Sequence, residues 1–272
     1  MDLAFSKKIF SFFGIDTHKF LFGIFEKNAK YLLDKKMKTL LPDEQNFLLE
    51  DDERFHYGDC ELNEIASQYV CRSFTIDRIK FIRKCMEEND NFSVADLGDS
   101  NGIFIRLMGK TGISVNISDQ TVKCLKNKKL DVVKANIEFL PFKNNSIDLV
   151  LLFETLEHVP NPVLLLWEIE RVSKKSLILS IPYVKETHIN RYNYTDNRPL
   201  YQYHIFEFNT KDFKNVIKLT KFSVGKEKIS TVLNPRVSIF HFIIFTLWDF
   251  FMEKDSFCSC FKQFYICQLV KN

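Results

Sequence analysis

Asp96, Asn116, Asn136 and Glu154 each stand at or just past the end of a short apolar run. Polar side chains at the carboxyl ends of parallel strands are where α/β sheets hold nucleotide-type ligands. Between the first run and the next helix the chain reads Asp96-Leu97-Gly98-Asp99-Ser100-Asn101-Gly102. The two glycines allow a tight strand-to-helix turn and close approach of a ligand. The spacing is D-x-G-x-x-x-G, without the second glycine that lets a pyrophosphate touch the backbone. The loop suits a ligand with a nucleoside and no diphosphate.

A second group can move protons. Phe153 and Glu154 are followed by Glu157 and His158 on a turn before Pro160 and Pro162. An imidazole titrates near neutrality, which makes His158 the best-placed base; a structural hydrogen-bonding role fits the same position. Tyr183 follows the next apolar run. The segment 190–208 then carries Arg191, Tyr192, Tyr194, Arg198, Tyr201, Tyr203 and His204. Loops at strand ends carry function disproportionately. The Arg and Tyr content suits a second ligand with an anionic or polar group and an apolar body, and a plain surface loop with tyrosines reads the same way.

Four blocks, VADLGDSNG (94–102), NIEFLPF (136–142), SIDLVLLFETLEHVPNP (146–162) and the polar strand end at Asn116, stand in an order that resembles the class I S-adenosylmethionine-dependent methyltransferases, in their small-molecule and lipid branch with a methyltransferase-11-like domain. The resemblance runs from about Phe92 to Pro182 and weakly beyond. It implies a cofactor, S-adenosylmethionine, held by Asp96, Gly98, Asp99, Ser100, Gly102, Asn116, Ile117, Asn136, Ile137, Phe153 and Glu154. Asp96 would face the methionyl ammonium, Asn116 the ribose hydroxyls, and Asn136 and Ile137 the adenine. His158, Tyr183 and His204 are the candidates at the acceptor end, His204 and Phe208 resembling an H-x-x-x-F segment of the family. Three positions depart from the family pattern: Ser100 replaces its middle glycine, and Asn116 and Asn136 replace acids. A carboxylate accepts from both ribose hydroxyls, whereas an amide accepts one and donates one; the lost charge costs about 1–2 kcal/mol. Both asparagines also suit strand-end turns.

Alternating apolar runs and helical patterns predict a Rossmann-like α/β fold. Strands are expected near 93–97, 113–117, 131–135, 147–153, 176–182, 221–229 and 263–271. Helices are expected near 61–86, 102–109, 119–128, 161–173 and 211–219. The resemblance implies a seven-stranded sheet with helices on both faces and the last strand antiparallel between its neighbours. Residues 1–60 read as an N-terminal helical extension, with a helical pattern that Pro42 ends and an acidic run at 50–53. Residues 61–272 read as the methyltransferase domain, with a Phe-rich insertion at about 230–262.

The 272 residues suffice for one large α/β domain or two small ones. A net charge of +3 is too mild to argue for nucleic acid. The seven cysteines show no metal-ligand spacing and read as reduced thiols of a cytoplasmic protein. The 28 phenylalanines cluster at 9–25 and 239–251, in stretches too short for a spanning helix. Core packing or a lid explains them, and so does peripheral contact with a membrane or a greasy substrate. Methyl transfer to a small-molecule or lipid-like acceptor by in-line displacement is the leading expectation. A non-catalytic methyltransferase-like binding protein is the alternative, motivated by Ser100, Asn116 and Asn136. The missing G-x-G-x-x-G argues against a nicotinamide oxidoreductase.

Overall fold

Strands β1 (Val94–Leu97), β2 (Gly112–Asn116), β3 (Asp131–Lys134), β4 (Ile147–Phe153) and β5 (Ser173–Pro182) pair in parallel, β1 between β2 and β4. The computed structural model describes residues 30–42, 44–45, 48, 64–86, 93–108, 112–189, 204–233 and 261–272. Both Phe-rich clusters, the acidic run and the Arg/Tyr positions from Arg191 to Tyr203 lie outside the described residues.

The chain divides into two compact units: residues 1–45, 53–76 and 231–262, and residues 46–52, 77–230 and 263–272. In the first, residues 30–37 are helical, and the N–H groups of Thr39 and Leu40 close a turn onto the carbonyls of Lys36 and Met37, ahead of Pro42. The second holds the parallel strands and a short antiparallel ribbon of β6 (His188–Ile189) and β7 (Phe206–Glu207). The seven-stranded sheet has the order β3-β2-β1-β4-β5-β9-β8, with β8 over Phe222–Leu233 and β9 over Phe261–Lys271. Strand β9 is antiparallel to β5, from Ser176 opposite Val270 to Pro182 opposite Phe264, and lies between β5 and β8. The expected seven-stranded sheet with an inserted antiparallel strand is present.

Inner strands covered on both faces need apolar side chains at nearly every position, not alternate ones. In β4, Ile147, Leu149, Val150, Leu151 and Leu152 are all buried; in β1 all four residues are. Helices α1 (Glu64–Cys85), α2 (Ile103–Met108), α3 (Asp119–Asn127), α4 (Pro162–Val172) and α5 (Thr210–Ile217) flank the strands in sequence. Their starts follow capping chemistry. Ser118 accepts from the Thr121 N–H, Asn161 from Leu164 with Pro162 opening the first turn, and Asn209 from Asp212.

The block Leu140-Pro141-Phe142 is fixed from α4. The Arg171 guanidinium forks onto the Glu168 carboxylate at 2.7 and 2.8 Å, and donates to the carbonyls of Leu140 (3.0 Å) and Phe142 (2.8 Å) and to Asn144 Oδ1 (2.8 Å). Glu168 in turn accepts the Leu140 N–H at 2.6 Å. This turn therefore delivers the chain into β4 and stays away from the carboxyl ends.

Candidate functional site at the carboxyl edge of the sheet

Because β1 to β5 run in parallel, the residues just past them share one edge. After β1 the chain turns at Gly98, with φ +78°, and at Gly102, with φ +75°. Both lie where L side chains are strained. A methyl group at Gly98 would come within 2.6 Å of Thr155 Oγ1, and one at Gly102 within 2.0 Å of Leu130 Cδ1. Gly98 is thus required by its φ and by close packing of the β1 and β4 turns. Asp99 braces the loop from within: its Oδ1 accepts the N–H groups of Asn101 (3.0 Å) and Gly102 (2.7 Å), and its Oδ2 accepts the Ser114 hydroxyl at 2.5 Å. Asp99 is a structural acid here. Ser100 lies half-buried in the same loop.

Asp96 differs from Asp99. It is 3% exposed, and its Oδ2 has no hydrogen-bond partner among the described residues. Burial, reinforced by the Asp99 charge and opposed by Arg78, pushes its carboxyl well above the usual carboxylate range. A buried oxygen without a donor is costly, and a cationic ligand at this edge would satisfy it.

The amide of Asn116 is engaged on both sides. Its Nδ2 donates to the Asp99 carbonyl at 2.8 Å and its Oδ1 accepts the Ser118 N–H at 2.8 Å. Asn136 Oδ1 accepts the Glu138 N–H at 3.0 Å. Both act as strand-end turn residues in this structure. Next to them Ile117 (59% exposed) is an open apolar side chain, and Ile137 is half-buried against the core.

Past β4 the geometry is tighter. The Phe153 ring packs on Phe104 with centroids 4.6 Å apart, and the Arg78 guanidinium lies 5.4 Å from its centroid. Glu154 adopts φ +47°, a left-handed conformation rare outside glycine. Its Oε1 meets Arg78 at 3.1 Å and accepts the Ser180 hydroxyl at 2.7 Å, while Arg78 Nε donates to Ser180 Oγ at 3.1 Å. Burial raises the Glu154 carboxyl despite Arg78 and Ser180 pulling the other way. Arg78 was not anticipated from sequence. Its partners lie far along the chain, Ser180 at a separation of 102 residues, so no local spacing reports the contact.

His158 and His204 come together, ring centroids 4.9 Å apart and edge-on. The Ile205 N–H donates to the Glu157 carbonyl at 2.6 Å and His204 Nδ1 meets Glu207 Oε1 at 2.8 Å, which holds the two segments in place. Glu157 is 1% exposed, and neither carboxylate oxygen has a hydrogen-bond partner among the described residues; His158 Nε2 is 4.0 Å from Oε1. Burial, then the Glu154 charge, pushes Glu157 well above the usual range. Burial and His204 lower His158 to about 4. His158 is therefore neutral at pH 7, and a weaker base than its ordinary value implies. Tyr183 is half-buried at the end of β5, its N–H donating to the Gln263 carbonyl at 3.1 Å.

A shallow depression of about 550 Å³, lined by Asn145, Trp167, Glu170, Lys221 and Lys271 among others, lies at the opposite end of the sheet, where β4 begins and β9 ends. It contains none of the residues at the carboxyl edge.

Residues 95–181 match a family model described as "Methyltransferase domain". An uncharacterized protein of Methanocaldococcus jannaschii is 38% identical over 99 residues, 36% of this chain and 43% of that protein. The chain thus spans less than half the length of this curated relative. Among solved structures, magnesium protoporphyrin IX methyltransferase of Synechocystis PCC 6803, with bound S-adenosylmethionine, superposes with a TM-score of 0.52 at 15% identity over 86% of this chain and 99% of that one. A proposed methyltransferase of Bacillus halodurans C-125 gives a TM-score of 0.54 at 15% identity over 72% of this chain and 99% of its own. At such identities the likeness speaks for the fold. Residues 95–181 thus carry a methyltransferase domain.

Proposed function

We propose that this chain transfers a methyl group from S-adenosylmethionine to a small-molecule or lipid-like acceptor. The observation that carries the reading is the buried Asp96 carboxyl beside the Gly98 turn, its Oδ2 without a hydrogen-bond partner among the described residues, inside the matched methyltransferase block. The residues fit the cofactor. Asp96 would take the methionyl ammonium, giving its Oδ2 the donor it lacks. The glycine turn leaves backbone open to the ligand. Ile117 and Ile137 would flank the adenine, and Asn116 keeps one amide proton and one lone pair for the ribose.

The bound cofactor supplies an activated methyl on a good leaving group. The protein then needs to align and shield more than to react. Phe153 and Glu154 would border the methionyl end. His158, Tyr183 and His204 would face the acceptor, and His158, neutral at pH 7, would be a weak base there. We read residues 61–272 as the working domain, with no nucleic-acid partner, in the cytoplasm or at a membrane surface through the Phe-rich segments. No helix among the described residues is long and apolar enough to cross a membrane.

Calorimetry with S-adenosylmethionine and S-adenosylhomocysteine tests this. Micromolar binding to wild type, abolished in Asp96→Ala, is expected. No heat at high micromolar ligand would sink it. That outcome would favour a second reading, a non-catalytic binding protein, for which the observation is that one proton and one lone pair of the Asn116 amide are already taken by Asp99 and Ser118.

A further inference from the structure

Three side chains past β4 and ahead of α5 bring metal-ligand atoms close together. One ligand atom from each of Glu157, His158 and His204 lies within 4.8 Å of the other two. We propose that Glu157, His158 and His204 form a divalent transition-metal site at the acceptor end of the domain.

The strongest observation is Glu157. An ionisable side chain 1% exposed, with both oxygens lacking a hydrogen-bond partner among the described residues, is a rare and costly arrangement. It sits in the same turn as His158 and is tied through its own carbonyl to Ile205, the neighbour of His204. A cation among these three groups gives the carboxylate the partner it lacks.

The surroundings suit a ligand imidazole. His204 Nδ1 is 2.8 Å from Glu207 Oε1, and Glu207 is buried. A carboxylate that takes the Nδ1 proton fixes the tautomer and leaves the Nε2 lone pair for a metal, the arrangement found behind most metal-bound histidines. Glu207 is thus a positioning residue. Ligand atoms around one tetrahedral ion with bonds of about 2.1 Å are about 3.4 Å apart. Separations of 4.8 Å at most therefore need a closure of no more than about 1.4 Å, within reach of side-chain rotation.

Two imidazoles and one carboxylate favour Zn²⁺, Co²⁺, Fe²⁺ or Mn²⁺ over Mg²⁺ or Ca²⁺, which prefer oxygen sets. Three protein ligands leave a coordination position open, as in catalytic rather than structural sites. An oxygen-bearing acceptor could take that position and be acidified there. This role rests on the methyl-transfer reading; the site itself does not.

The test uses the full chain stripped with chelator and titrated with Co²⁺ alone by visible absorption and with Zn²⁺ alone by calorimetry, without S-adenosylmethionine. One equivalent should bind, with the intense bands of four- or five-coordinate cobalt. Glu157→Gln and His204→Ala should each weaken binding at least tenfold, and Glu207→Gln about tenfold with unchanged stoichiometry. His188→Ala, outside the cluster, should bind as wild type. Absence of stoichiometric binding overturns the proposal, as does binding that survives in both Glu157→Gln and His204→Ala, or that His188→Ala removes. Should Glu157→Gln fail to fold, the His204→Ala result decides alone, since its imidazole is partly exposed. Cofactor titration of the stripped protein separates the two readings: metal binding can fail while S-adenosylmethionine still binds.

Discussion

Asp96, buried with an unpartnered Oδ2 among the described residues, can be read by pH. Its carboxyl is raised by burial and by Asp99 in the free protein, and a bound ammonium would lower it again. Binding should therefore release a proton while the free carboxyl is still protonated. Affinity should rise with pH up to the free-protein value and level off above it. Calorimetry in buffers of different ionisation heat reads the released proton, and Asp96→Asn should abolish both the release and the slope. Gly98 is constrained twice, by its positive φ and by Thr155 Oγ1 2.6 Å from a would-be Cβ. Gly98→Ala should cost about 1–3 kcal/mol of strain, seen as a lower urea midpoint. Adding Thr155→Ala should recover only part, because the backbone term remains. At Asn116 the structure reverses a simple expectation. A family-like acid there would place a carboxylate against the Asp99 carbonyl, where Nδ2 now donates at 2.8 Å. Asn116→Asp should lower thermal stability instead of improving cofactor affinity; a clear gain in affinity would show that the ribose contact outweighs the loop bond.

Elements place these residues, and one of them does so through a single guanidinium. Arg171 holds Leu140, Phe142 and Asn144 to α4 while paired to Glu168. Lysine cannot reproduce a five-donor fork. Arg171→Lys should cost about 1.5–3 kcal/mol, the worth of hydrogen bonds to a charged group, measured by urea unfolding. The Arg171 bond is the largest influence on Glu168 and lowers its carboxyl from the ordinary 4.5. A depressed folded value means this contribution is complete above the unfolded value and lost as pH falls through the folded one. Glu168→Gln should flatten that acid-side loss. The strands and helices were legible because each apolar run ends in a polar or turn residue, as β1 and β2 do near Gly98 and Asn116. The turn role of the asparagines was one of two readings open in sequence, and hydrogen bonds to Asp99, Ser118 and Glu138 decide it. Arg78 was not legible: a cation on a helix before β1 reads as surface, and only the sheet brings it to Glu154 and Ser180. Nor was the pairing of His158 with His204, which two separate segments supply.

The seven-stranded sheet is a parallel core completed by the antiparallel strand β9, between β5 and β8. Tyr265, Ile266, Cys267 and Leu269 of that strand are buried. Deleting residues 263–272 should therefore abolish cooperative unfolding monitored by circular dichroism, where deletion of an edge strand would merely shift the midpoint. The same placement matters during synthesis. Strand β5 ends at Pro182, yet the strand that covers its edge is not translated until residue 271. For the time a ribosome needs to add almost ninety residues, the nascent sheet presents an unpaired, largely apolar edge. Such an edge invites pairing with other chains. Nascent chains stalled before residue 261 should accordingly recruit holding chaperones, and release past residue 271 should end that dependence.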